Sequence, residues 1–239
     1  MTGDRNRLPG TPTTGGAVDA FLKQLAATPA PRPETGQRGR LMFALDATAS
    51  RQPTWDQACQ IQAEMFKATD ALGGLDIKLV FYRGFAELKA SPWFGSAKDL
   101  LAHMSGVSCL GGQTQIGRVL SFAIAETRQR KVNALVFVGD CMEEDVDQLC
   151  HKAGELGLLG VPVFIFHEGS DAKAAAAFQQ IARLTRGAYC AFDAGSAQQL
   201  RELLSAVAVY AAGGRAALED YSRRAGGATL LLARQVAKP

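Results

Sequence analysis

No long apolar run is present: the most hydrophobic stretches, 161–166 and 203–212, are too short for a bilayer, which takes about 20 residues, so no membrane span is expected. Nor is there an excess of one charge. The 26 Lys and Arg against 23 Asp and Glu leave +3, too little for nucleic acid or a membrane surface when only the last residues show mild clustering of cations. Histidine is scarce: His103, His151 and His167 show no His-Glu-x-x-His spacing, which removes that zinc motif. Gly-x-Ser-x-Gly and Gly-x-x-x-x-Gly-Lys are absent too, so neither a nucleophile elbow nor a phosphate loop is available. No internal repeat and no Cys-x-x-Cys are found. The five cysteines (Cys59, Cys109, Cys141, Cys150, Cys190) are odd in number and mostly set in apolar patterns, as buried thiols of a reducing compartment are. No apolar segment follows the N-terminal arginines, so a secretory signal is not expected and a cytoplasmic, soluble protein is.

What remains in the 239 residues is one large domain with tails. Residues 1–39 hold five of the nine prolines, with glycine and threonine between them, and read as a leader. Within it, residues 17–27 can form a short helix with Phe21, Leu22 and Leu25 on one face, expected to dock on the main body. From residue 40 to 212, short apolar runs at 41–45, 77–82, 135–138, 161–166 and 188–192 alternate with stripes of helical period. That alternation predicts an α/β doubly wound, mostly parallel sheet with helices on both faces. The run at 77–82 is followed too soon by 87–90 for a helical crossover, so one antiparallel edge strand is expected. Gly213-Gly214 marks the expected end of the domain, and 213–239 the tail.

Hydroxyls and carboxylates gather where such a sheet binds ligands, outside the carboxyl ends of its strands. The first strand runs into Asp46-Ala47-Thr48-Ala49-Ser50, a later one ends in Gly139-Asp140, and Gly111-Gly112-Gln113-Thr114 stands before the helix beginning near Ile116. Alternate residues in the first segment can present Asp46, Thr48 and Ser50 to one point. Two carboxylates and three hydroxyls form an all-oxygen set suited to a hard cation, Mg²⁺ or Mn²⁺. Thr114 or Ser50 taken alone reads better as a helix or turn cap, whereas all five at two strand ends and one helix start favour the metal. Glu143, Glu144, Asp145 and Asp147 read as acids favouring the start of the next helix, and Thr114 can cap its own helix as well.

The set resembles the metal-ion-dependent adhesion site of the von Willebrand factor type A (vWA) family, whose motif is Asp-x-Ser-x-Ser, a threonine in a glycine-bearing loop, and an aspartate after the fourth strand. Asp46, Thr48, Ser50, Thr114 and Asp140 fill those positions, with Thr48 in place of a serine and Cys141 where a glycine commonly follows. The resemblance implies a vWA/Rossmann-like fold over residues 40–212. It implies Thr48, Ser50 and Thr114 as inner metal ligands, with Asp46 and Asp140 bound directly or through water. It also implies a non-enzymatic module in which Mg²⁺ captures an Asp or Glu side chain of a protein partner, with an AAA+ ATPase or assembly complex among the candidates.

Three rivals come from other classes. A phosphate-accepting receiver domain needs an acidic pair before Asp46, where Ala44 and Leu45 stand, and a lysine after a later strand, which is not evident. A Mg²⁺-dependent phosphohydrolase would use Asp46 as nucleophile and needs an acid two residues on, where Thr48 stands. An interaction scaffold with a degenerate metal site would instead bind through its tails, which carry Arg223, Arg224, Arg234 and Lys238.

Overall fold

Strand β1 (Gly39–Asp46) is buried along its whole length, the burial expected of a strand covered on both faces. The computed structural model describes residues 19–21, 23, 24, 27, 38–69, 72–192 and 197–225. After β1 come α1 (Gln52–Thr69), β2 (Leu75–Arg83), β3 (Glu87–Phe94), α2 (Ala97–Met104), α3 (Ile116–Gln129), β4 (Ala134–Gly139), α4 (Val146–Leu158), β5 (Val163–Glu168), α5 (Ala172–Leu184), β6 (Ala188–Phe192) and α6 (Ala197–Ala225). The six strands lie in the order β3-β2-β1-β4-β5-β6. All neighbours are parallel except β2 and β3, so the doubly wound sheet with one antiparallel edge is as the sequence predicts. Strand order reverses between β1 and β4, which places the ends of those two strands side by side.

Alternation within each strand divides the core in two. Leu41, Phe43 and Leu45 of β1 face α1, α2 and α6, where Trp55, Met65, Leu100, Leu203 and Val207 are buried. Met42 and Ala44 face α3, α4 and α5, against Val119, Leu149 and Phe178. Phe21 belongs to the first cluster, fully buried and edge-on to Phe164 and Phe166, so the leader contributes to the core. Leu22 and Leu25, expected beside it, lie outside the described residues.

Several boundaries differ from the sequence-based expectation. Strand β5 runs over Val163–Glu168 rather than 161–166. The amide of Val161 closes the preceding helix by donating to Leu156 O, and His167 extends the strand because its ring is buried and hydrogen-bonded. Helix α2, not foreseen, is capped by Ser96, whose Oγ accepts from Asp99 N at 3.2 Å. Gly214 interrupts α6 with φ 71° and ψ −164°, a conformation open to glycine. Helix nonetheless resumes to Ala225 with Leu218 and Ser222 buried. At the sheet edge, β3 carries Pro92, and a bulge shifts the β2–β3 register between Lys78 and Val80. There the Ser91 hydroxyl accepts from Leu79 N at 3.0 Å.

Candidate functional site

Asp46 closes β1 opposite Tyr82 of β2, and that register determines its surroundings. Its side chain turns back on the chain: Oδ1 accepts from Thr48 N at 2.8 Å and Oδ2 from the Tyr82 hydroxyl at 2.9 Å. The residue is 2% exposed. Burial raises its pKa, hydrogen bonds from Thr48 and Tyr82 pull it back down, and the Asp140 charge raises it again. Tyr82 is fully enclosed, and burial first, then Asp46, pushes its phenol well above the ordinary value, so it stays a protonated donor.

The turn Ala49–Arg51 then carries the chain over the strand ends. Ser50 Oγ donates to Asp140 Oδ2 at 3.1 Å, joining residues from opposite halves of the fold. The neighbouring Asp140 Oδ1 is buried without a hydrogen-bond partner. The Asp140 carbonyl faces His167 Nε2 at 3.0 Å, and Nδ1 of that ring faces the Tyr189 hydroxyl at 2.8 Å. A carbonyl only accepts, so Nε2 carries the hydrogen; in the neutral ring Nδ1 accepts from Tyr189. Burial lowers the His167 pKa and favours that neutral form. Beside Asp140, the half-buried Cys141 thiol is pushed up to about 12 by burial and by the Asp140 charge. Asp46, Asp140 and Cys141 each offer a ligand atom within 4.8 Å of the others.

Thr114 is placed differently. It is 6% exposed, and it forms a reciprocal pair with Glu143: Thr114 N donates to Oε2 and Thr114 Oγ1 accepts from Glu143 N, both at 3.1 Å. The expected cap of α3 falls to Glu144 instead, whose two oxygens accept from Ile116 N at 2.5 Å and Gly117 N at 2.8 Å. The acids after Asp140 therefore do serve helix starts, but Glu143 and Glu144 serve the neighbouring helix and Asp145 alone caps α4. Gly112 permits the threonine loop to lie against the β2–β3 turn, since a Cβ there would meet Gly84 O at 2.0 Å. The same loop touches the acid cluster, with Leu110 N donating to Ala47 O at 3.0 Å. Phe85 and Leu110 stand 78% and 46% exposed at this rim.

Two charged residues passed over in the sequence complete the site. Arg51 is 2% exposed; its Nη2 is paired with Glu168, at the end of β5, and its Nη1 lies 3.8 Å from Asp140 Oδ2. Its Nε has no partner, and Thr54 Oγ1 donates to Glu168. Applying the strand-end rule to β5 finds Glu168 once the strand is extended past Phe166; the signal for Arg51 is only its place directly after Ser50.

These donors satisfy a cation in part. The cluster of Asp46, Asp140 and Cys141 can chelate a divalent ion, and the orphaned Asp140 oxygen suits one. The set is nevertheless degenerate relative to the adhesion site, since a thiol enters it, both Asp46 oxygens are hydrogen-bonded and a guanidinium stands against Asp140.

No protein-family model matches the chain, and no curated protein matches it in sequence. Solved structures match its fold. The SpRpn10 VWA domain superposes with a TM-score of 0.56 at 14% identity, over 70% of this chain and 94% of that one. Proximal thread matrix protein 1 from the mussel byssus gives 0.56 at 18% identity, over 73% and 47%. A D319A mutant of the PilB minor pilin from Streptococcus sanguinis gives 0.57 at 10%, over 87% and 65%. The chain thus spans less than two thirds of the mussel and pilin structures. Identities this low establish a vWA/Rossmann-like fold and nothing finer.

Proposed function

We propose that this chain is a protein-binding scaffold of vWA-like fold that makes and breaks no bonds, and that partners dock on the face at the carboxyl ends of β1, β4 and β5. The observation that carries this reading is the exposure of Phe85 and Leu110 beside a partly buried acidic cluster. Apolar side chains grouped at the rim of a polar site form a surface on which a protein contact can be built. Here backbone hydrogen bonds from Leu110 to Ala47 and from Gln113 to Gly84 fix both anchors to the site. Thiolate chemistry is disfavoured, because burial pushes Cys59 and Cys109 up to about 11 and Cys141 and Cys190 up to about 12. Thiols so raised are poor nucleophiles. All five cysteines are free, which suits a cytoplasmic setting. No described helix is long and apolar enough to cross a membrane.

A second reading, favoured by the unpartnered Asp140 Oδ1, keeps a divalent ion as the bridge to a partner's Asp or Glu. Asp46, Asp140 and Ser50 would hold Mg²⁺ or Mn²⁺, whose charge would attract that carboxylate. A protonated Cys141 thiol adds nothing for Mg²⁺, which prefers oxygen.

The test captures partners on the full chain, with and without chelator, including an AAA+ ATPase among the candidates. Capture that survives chelator but fails in Phe85→Ser supports direct docking. Capture that fails with chelator yet survives in Phe85→Ser supports the ion bridge. Phosphoester hydrolysis that Asp46→Asn abolishes would overturn both.

A further inference from the structure

We infer that Arg51 sets the cation affinity of this site: its guanidinium supplies from inside the protein the positive charge that the strand-end acids would otherwise take from a metal ion. Arginine keeps its charge in proteins, and a charge buried this deeply must be matched by acids. Arg51 finds them at two strand ends, pairing with Glu168 after β5 and standing 3.8 Å from Asp140 Oδ2 after β4. Its position follows from the Ala49–Arg51 turn, closed by Arg51 N donating to Thr48 O at 3.0 Å, which leaves Ser50 exposed and turns the Arg51 side chain into the interior. A divalent ion held by Asp46, Asp140 and Ser50 would share Asp140 with this fixed cation and be repelled by it in a weakly screened interior.

Arg51 as no more than a strut tying α1 to β5 predicts something different. Losing a strut lowers stability and leaves metal affinity alone. Losing a resident cation raises metal affinity.

The experiment titrates Mn²⁺ into the full chain, read by electron paramagnetic resonance of the free ion, with circular dichroism confirming the fold of each variant. Wild type is expected to bind weakly, at millimolar levels. Arg51→Met, which keeps much of the side-chain volume, should bind at least about tenfold tighter, and Arg51→Lys, which keeps the charge, should stay near wild type. Adding Asp140→Asn to Arg51→Met should abolish the gain and so locate the ion. Equal affinity in wild type and Arg51→Met overturns the inference. So does micromolar binding by wild type, a result that does not depend on Arg51→Met folding. The inference rests on the degenerate site described above and not on partner docking, so a failure of partner capture leaves the Mn²⁺ result independent.

Discussion

The Tyr82 hydroxyl donates to Asp46 Oδ2 at 2.9 Å across the β1–β2 pair, inside the core and away from water. A buried carboxylate at the end of a central strand is thereby tied to a phenol of the neighbouring strand.

Tyr82→Phe should remove this bond without changing the packing against Phe137. A hydrogen bond to a charged group is worth about 1.5 to 3 kcal/mol, and a loss of that order is expected in urea unfolding. The same bond lowers the Asp46 pKa, so in carbon-detected NMR titration Asp46 should titrate higher in the variant. An unmoved titration would remove Tyr82 from the electrostatics of the site.

His167 predicts a pH dependence. Burial lowers its pKa from the ordinary 6.5, opposed by Asp140 and Asp171 and assisted by Arg51. Between the lowered folded value and 6.5 the unfolded chain binds the proton and the folded chain refuses it. Stability from this group is therefore full above about 6.5 and declines as the pH falls through that window. His167→Gln retains a donor toward the Asp140 carbonyl and should lose this slope, so the two unfolding curves should converge on acidification. Parallel curves from pH 7 to 5 would contradict the buried neutral ring.

The glycine pair before Thr114 separates close approach from chain flexibility. A Cβ at Gly112 meets Gly84 O at 2.0 Å, whereas one at Gly111 meets nothing within 4 Å. Gly112→Ala is expected to cost about 1 to 3 kcal/mol by forcing the loop off the β2–β3 turn. Gly111→Ala should be neutral within about 0.5 kcal/mol. Midpoints of urea denaturation compare them directly.

Phe21→Ala tests whether the leader is part of the folded unit. Truncating a fully buried phenylalanine costs about 3 to 5 kcal/mol, and Phe21 sits between Phe164 and Phe166. A change below about 1 kcal/mol would mean that the contact contributes little in solution.

The sheet was legible because its strands are buried on both faces and therefore read as short apolar runs separated by helical stripes. Asp46, Ser50 and Asp140 were legible by the strand-end rule, and the Ser50–Asp140 hydrogen bond joins the two segments. Tyr82 was hidden because its role depends on register, which only strand pairing reveals. Glu168 was hidden by a strand boundary placed two residues early. Arg51 resembled a surface arginine because its counterion comes from a distant strand. Helix α2 buries only Leu100 and Met104, too thin a stripe to stand out. Gly213-Gly214 resembled a stop, yet burial of Leu218 holds the second half of α6 in place across the kink.

The outer strand β3 limits how other molecules can attach. Pro92 has no amide hydrogen to offer, the bulge breaks the regular spacing beside it, and Lys89 with Glu87 places an ion pair on the strand. A polypeptide laid along this edge would find an interrupted ladder. Extension of the sheet from this side, whether by a visiting peptide or by a second copy growing into a fibre, is therefore disfavoured at the backbone.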